Sequence, residues 1–600
     1  MRVAGLMRWG AALAAACAAA AAPGAAETGA MPEEAMAMNG VYNVMDYGAK
    51  ADGATDDTGA IQAAIDAATT TGGAVRLPAG EYLVAGNLEL KESVALLGVN
   101  AAQASIGQRK GTILLATAGR GDEDAPPFIH MTHATTVRGL TIYYPEQKCD
   151  DITPYPWTFQ LEGFDCTIED VTLINSYNGI RTGPKNNVRH SIRGVVGAVL
   201  RRGIYVDFCT DIGRVENVQF HCHWWSDPAF EGNWEPVYRY MWENLEAFAF
   251  ARSDWEYMTN NFVFPARIGW RFVEGELGAA NGHMTGCGAD STQTALQVDK
   301  IQPMGLLITG GQFVSFMGDE PVQVRIAPTS AGSVRFVNCA FWGPSRHNAV
   351  IEGTGFVSFS DCYFSNWNEE ATDAPLVAAK SGRIQVQSST FATGQPSVAL
   401  GPDVTHAIIR GNNGIAGVRV LNEARRAIIA DNEDDPAGWS DEMRAAFRLN
   451  VGDPGGERYL KGWAGGEPAP EWPDGGTRRW SQPDATVSFP VLPGAAYEVT
   501  LDAFIPEHAA APGDGIYVGD VCIAPLTERG LHTVSGIVPA QETDMLTLHV
   551  RTAGWVPAEH DPASSDTRRL GVGVRSITLR AKDVPGETLY DAVTGQPIDE

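Results

Sequence analysis

Carboxylates, histidines, arginines and indoles crowd into the middle third of this 600-residue chain. Asp207, Asp227, Asp254 and Glu256 are the acids of interest. Two carboxylates flanking an acetal can serve as acid and as base or nucleophile, which is what glycoside hydrolysis requires. In the run Phe248-Ala-Phe-Ala-Arg-Ser-Asp-Trp-Glu, an extended chain puts Asp254 and Glu256 on one face; a helix would set them about 200° apart. The alternation predicts Asp254 and Glu256 as a catalytic pair, with Asp207 as a third carboxylate. His221-Cys-His223 would share a strand face in the same way. A metal would need a third ligand, such as Asp227 or Asp207. Sugar contact or proton transfer is therefore expected of the two histidines, and no metal. Trp224 and Trp255 offer flat apolar faces on which sugar rings stack.

Regular strands must carry these groups. Gly179-Ile-Arg-Thr-Gly and Gly203-Ile-Tyr-Val-Asp lie 24 residues apart, and Gly269-Trp-Arg-Phe-Val and Ala295-Leu-Gln-Val-Asp continue the register. Strand alternation turns Ile180, Thr182, Ile204, Val206, Trp270, Phe272, Leu296 and Val298 inward. It turns Arg181, Tyr205, Arg271 and Gln297 outward in one column suited to sugar hydroxyls or carboxylates. The pattern breaks over 221–267, an insertion rich in aromatics and long enough to form a functional loop.

Charge adds a second possibility. The chain carries a net −28, yet Arg181 to Arg214 holds seven Lys or Arg against two acids. A basic patch in an acidic protein points to an anionic ligand. It keeps open β-elimination on a uronate, with Arg, Lys, His or Tyr handling the proton. The overall negative charge argues against general nucleic-acid binding.

The repeats fix the architecture. Val137-Arg-Gly-Leu-Thr-Ile142 recurs at Ile168, Ile192 and Val215, and a later series pairs Leu306/Phe313, Val334/Phe341, Val357/Phe364, Ile384/Phe391 and Ile408/Ile415. Starts 23 to 31 residues apart suit coils that each bury their inward residues on the next. Ahead of them, Asp56, Asp57 and Thr58 can cap a helix whose Ile61, Ala64, Ile65 and Ala68 share one face.

The run YNVMDYGAKADGATDDTGAIQAAIDAA followed by GGAVRLPAGEYLV resembles the N-terminal cap of the pectate-lyase-like right-handed parallel β-helix superfamily, which includes relatives of glycoside hydrolase family 28. The resemblance implies an all-β chain: a parallel β-helix catalytic domain over 40–434 with an N-terminal cap helix. It also implies a polysaccharide or oligosaccharide ligand, neutral or anionic, lying along an outward sheet face; Arg181, Tyr205 and Arg271 of the outward column, with His221, His223, Trp224 and Trp255 of the interrupted segment, are the expected contacts. A glycoside hydrolase using Asp254, Glu256 and Asp207 is the leading expectation. A polysaccharide lyase, and a non-catalytic adhesin or tailspike-like binder, are the alternatives. No cofactor is expected, although a lyase could bring calcium. The paired-aspartate and Gly-His-Gly motifs of polygalacturonases and the Arg-centred signature of pectate lyases are absent, so no catalytic set transfers from either.

The ends complete the plan. Arg2, Arg8 and an Ala-rich run to Ala22, then small residues to Ala26, form a signal-peptide layout over 1–26 and predict a secreted or periplasmic protein. Cys17 lacks the Leu that usually lies three residues before a lipoprotein cysteine. No later apolar run is long enough to span a membrane. Residues 435–480 read as a linker with a short helix at 441–448. Alternating segments over 481–584 predict a jelly-roll-like β-sandwich.

Overall fold

The computed structural model describes residues 40–102, 107–371, 373–415, 417–433, 439–562, 564–584 and 588–598. The 1–26 segment and Cys17 lie outside the described residues. Among the described residues no helix is long and apolar enough to cross a membrane.

Helix α1 (Thr58–Thr69) buries Ile61, Ala64, Ile65 and Ala68, the face expected of it, on the first strands of the coil stack. From there the chain winds into a right-handed parallel β-helix of 39 strands. Each coil contributes in turn to an A, a B and a C sheet. In the A sheet, β1 (Asn178–Thr182), β2 (Arg202–Val206), β3 (Glu246–Phe250) and β4 (Ala266–Phe272) pair in parallel, one coil after another. The B sheet carries Ser191–Arg193, Arg214–Glu216 and Glu256–Thr259 in the same coils. The C sheet carries Val196–Gly197, Gln219–His221 and Phe262–Phe264.

Parallel in-register stacking places like on like along the core. Ile180, Thr182, Ile204, Val206, Trp270, Phe272, Leu296 and Val298 are all buried, as the alternation requires. Phe313, Phe341, Phe364 and Phe391 stack down the C sheet with ring centroids 5.6, 5.1 and 5.0 Å apart. Such ladders add to the area term through favourable offset ring contacts.

The 221–267 insertion is smaller than expected. Residues 222–245 form the loop, which contains helix α2 (Trp234–Asn244). Residues 246–264 are a full coil, whose strands pair on both sides with the neighbouring coils. Phe248 and Phe250 are its inward residues and stack on Trp270 and Phe272 at 4.2 and 5.4 Å. Nor is 248–256 one strand: β3 ends at Phe250 and the next strand begins at Glu256.

The expected linker is also displaced. Ala446–Asn450 is already a strand, antiparallel to Gly573–Ala581. Leu460–Trp463 and Glu467–Pro468 pair with Thr477–Pro490. The second domain therefore takes in much of the stretch assigned to a linker, and its core begins with Phe447, Leu449 and Val451. Its remaining strands surround a core of Val487, Phe489, Val499, Leu501, Leu548 and Ile577. Gly515–Val518 and Val521–Pro525 form a hairpin within the domain. An ion pair at 2.8 Å joins Arg458 of this domain to Glu433 of the last coil.

Candidate active site

The outward column of the A sheet forms a polar track. Its register runs Glu89, His130, Gln160, Arg181, Tyr205, Ala249, Arg271, Gln297 and Arg325. Successive residues are one coil apart, about 4.8 Å. Arg181, Tyr205 and Arg271 thus line up as the alternation predicts, with Ala249 of the additional coil between the last two. Helix α2 packs beside β4, where the C sheet turns into the A sheet, and forms one wall. The turns from A to B, carrying Asp207, Arg252, Asp254 and Trp255, form the other.

Tyr205 is at the centre. Its hydroxyl donates to Asp207 Oδ2 at 3.1 Å. Asp207 Oδ1 accepts from the backbone N–H groups of Phe208 and Arg252, at 2.8 and 3.0 Å, so the carboxylate cannot swing away. A Cβ on Gly275 would sit 2.7 Å from Asp207, so only glycine lets the following turn close over this carboxylate. Burial first, then the charge and hydrogen bond of Asp207, hold the Tyr205 phenol well above its usual range. At rest it is a neutral phenol whose proton points at Asp207 and whose lone pairs are free.

Arg181 is its neighbour in the preceding coil, and the charge of Arg202, at the start of the same strand, is also felt at the phenol. Arg181 donates through Nε to Gln160 Oε1 at 2.7 Å and lies 5.9 Å above the Trp157 ring. Trp157 in turn is 6.4 Å from the Tyr205 ring. Burial pulls the Arg181 guanidinium below its usual value, opposed by Glu162, and the like charge of Arg202 adds to the depression. Among the described residues no carboxylate is within ion-pair distance of Arg181 or Arg202. The rest of the basic segment is largely compensated: Lys185 pairs with Glu162, Arg189 with Asp165 and Arg193 with Glu169. A half-buried cation without a counter-charge is costly, and an incoming anion would relieve that cost.

The expected carboxylate pair does not form. Trp255 has φ of 66°, a left-handed conformation that interrupts strand alternation between its neighbours. Asp254 stays on the rim, bonded to Arg252 Nη2 at 2.5 Å and to Gln302 at 2.7 Å. Glu256 turns into the coil, is fully buried, and bonds to His190 Nε2 at 3.0 Å. It cannot reach a ligand on the outer face. Arg271 is in the column but is engaged by Asp299 and Glu246 at 2.8 and 2.9 Å.

His221 and His223 are not in this groove. His221 ends a C-sheet strand, and its ring stacks on His223 at 4.6 Å and on Phe264 at 4.8 Å. Trp234 closes the cluster, 4.5 Å from His223. Burial, then the nearby His223, brings the His221 imidazole down to about 4, so it is neutral near pH 7. Trp224 packs partly buried against the core, whereas Trp255 is 56% exposed on the rim, free to meet a ligand. The alternation missed Trp157, Arg202 and Arg252. Of these, Arg202 fell within the basic segment; the acid opposite it in the next coil, Glu246, is taken by Arg267 and Arg271, a pairing that the sequence did not announce.

Comparison with known proteins supports the architecture. Residues 41–148 match the family model described as rhamnogalacturonase A/epimerase, pectate lyase-like. The fold is that of the pectate-lyase-like superfamily. Alginate lyase 7 of Azotobacter vinelandii is 49% identical over 107 residues, 17% of this chain and 12% of that protein. Mannuronan C5-epimerase AlgE5 of the same organism is 54% identical over 65 residues, 10% of this chain and 6% of that protein. The chain thus matches about an eighth or less of these curated relatives' length. Among solved structures, the A-module of Azotobacter vinelandii mannuronan C-5 epimerase AlgE6 aligns over 65% of this chain and 98% of that one, with 17% identity and a TM-score of 0.41.

Proposed function

We propose that this protein acts on a uronate-containing polysaccharide by removing the proton next to the sugar carboxylate, with β-elimination as the outcome. The observation that carries this reading is the pair Arg181 and Arg202, cations without an acidic partner beside the Tyr205–Asp207 hydrogen bond. A uronate carboxylate seated on these guanidiniums loses much of its charge, which acidifies the C5 proton. The Tyr205 oxygen accepts that proton as its own passes to Asp207 Oδ2. The C5–H electron pair becomes the C4–C5 double bond and the C4–O bond breaks. The departing oxygen takes a proton back from Tyr205, which is resupplied by Asp207, so both residues end as they began.

Two further points favour this over hydrolysis. Glu256 is inside the coil, and Asp254 is held by Arg252, so the expected acid and base are not poised across a bond. The named relatives include an alginate lyase and mannuronan C5-epimerases, both defined by uronate polymers.

The test is digestion of a panel of polyuronates and neutral glycans. The expected result is ultraviolet absorbance from the new double bond, on uronates only. New reducing ends without absorbance would overturn elimination in favour of hydrolysis. Deuterium entering C5 from heavy water, with no chain cleavage, would reassign the same site to epimerisation.

A further inference from the structure

Directly behind the Tyr205–Asp207 groove, inside the coil, lies a second cluster that the reaction above does not use. His190, Cys209 and Glu256 come from three successive coils at the A-to-B corner, are fully buried, and bring one ligand atom each to within 4.8 Å of one another. We propose that these three side chains form a structural site for a divalent transition-metal ion, with zinc the best fit.

The tautomer is set from outside. Asn187 Nδ2 donates to the Gly163 carbonyl at 2.9 Å, which points Asn187 Oδ1 at His190 Nδ1, 2.9 Å away. Nδ1 therefore carries a proton, and Nε2 faces the cluster. An amide or carbonyl behind a ligand histidine is the usual means of orienting it towards a metal. Glu256 Oε1 is 3.0 Å from that Nε2, and Ser253 Oγ donates to Oε2. Gly213 leaves the space open, since a Cβ there would lie 2.2 Å from both Glu256 Oε2 and the His190 ring.

The donor set selects the ion. One imidazole, one thiolate and one carboxylate suit zinc, whose bonds of about 2.0–2.3 Å put tetrahedral ligands about 3.3–3.7 Å apart. Calcium wants six to eight oxygens and fits poorly. A neutral imidazole with a thiolate and a carboxylate exactly offsets a divalent charge, so the loaded site is neutral in a region with no access to water. The three side chains supply three contacts in a fully buried pocket that substrate cannot enter, so the ion would be a cross-link between coils rather than a reagent. It would brace the corner that presents Tyr205, Asp207 and Arg252.

The full chain, produced in zinc-supplemented medium and dialysed, should hold one zinc per molecule by elemental analysis. Cys209→Ser and Glu256→Gln should lose it. Wild-type protein refolded with zinc should melt higher than protein refolded with chelator, by on the order of 5 °C. Cobalt in place of zinc should give a thiolate charge-transfer band that Cys209→Ser abolishes. If the variants misfold, the wild-type measurements still decide. Wild-type protein without zinc and with a melting temperature indifferent to metal and chelator would overturn the proposal. Zinc retained in full by Cys209→Ser would overturn it too, by placing the ion elsewhere.

Discussion

At the scale of single residues, Tyr205 and Glu256 separate function from scaffold. Removing the phenolic oxygen in Tyr205→Phe should lower turnover on the best uronate substrate by about 10²–10⁴-fold, with little change in melting temperature. Glu256→Gln should do the reverse: removing the charged member of a fully buried polar cluster leaves its partners unsatisfied and costs about 3–5 kcal/mol, seen as a lower unfolding midpoint in denaturant. Equal loss of turnover at unchanged stability in Glu256→Gln would restore its candidacy as a catalytic acid. The contrast also shows which side chains the sequence could place. Arg181 and Tyr205 were legible because parallel strands repeat their facing every coil, so a 24-residue spacing carries one side chain onto the next. Glu256 was not, because one left-handed residue, Trp255, reverses the facing that alternation would assign. Nothing in the type of a tryptophan announces that conformation.

At the scale of elements, the coil repeat was readable wherever its apolar pattern stayed regular, and the errors fell where two events overlapped. The 222–245 loop and the coil of 246–264 together look like a single long interruption, since the aromatic Phe248 and Phe250 serve the core while resembling a sugar-binding loop. The second domain was hidden at its start for a related reason: Ala446–Asn450 is too short for a period to show, and its partner strand is more than a hundred residues away. That pairing predicts that limited proteolysis of the native protein spares 446–480, which a linker would not survive; early cuts there, found by mass spectrometry, would contradict it. The strand end that leads into the 222–245 loop makes a pH prediction. His221 titrates near 4 in the fold against an ordinary 6.5, so the unfolded chain binds the extra proton first as the pH falls. The stability this imidazole contributes is present above about pH 6.5 and is lost as pH drops towards 4. Melting temperature should therefore fall between pH 7 and pH 5, and His221→Phe, which keeps the stacking, should flatten that slope.

At the scale of the whole molecule, the field and the site pull in opposite directions. The net charge of −28 repels a polyanion from a distance, while Arg181 and Arg202 attract its carboxylates once it is seated. Screening acts on both, but not equally. At about 0.01 M salt the Debye length is about 30 Å, so an approaching chain feels the charge of the entire surface; near 0.1 M it is about 10 Å, and mainly local charges remain. Added salt should therefore first raise kcat/KM on a polyuronate by relieving long-range repulsion. At higher concentrations it should lower kcat/KM by weakening the contacts with the two guanidiniums. Arg181→Ala and Arg202→Ala should each raise KM and blunt the falling limb while leaving the rising limb intact, because neither changes the overall charge much. A wild-type kcat/KM that falls steadily from the lowest salt would mean that attraction dominates at every range. In that case Arg181 and Arg202 would not be the main contacts, and the anion would be held by a broader basic surface than this groove presents.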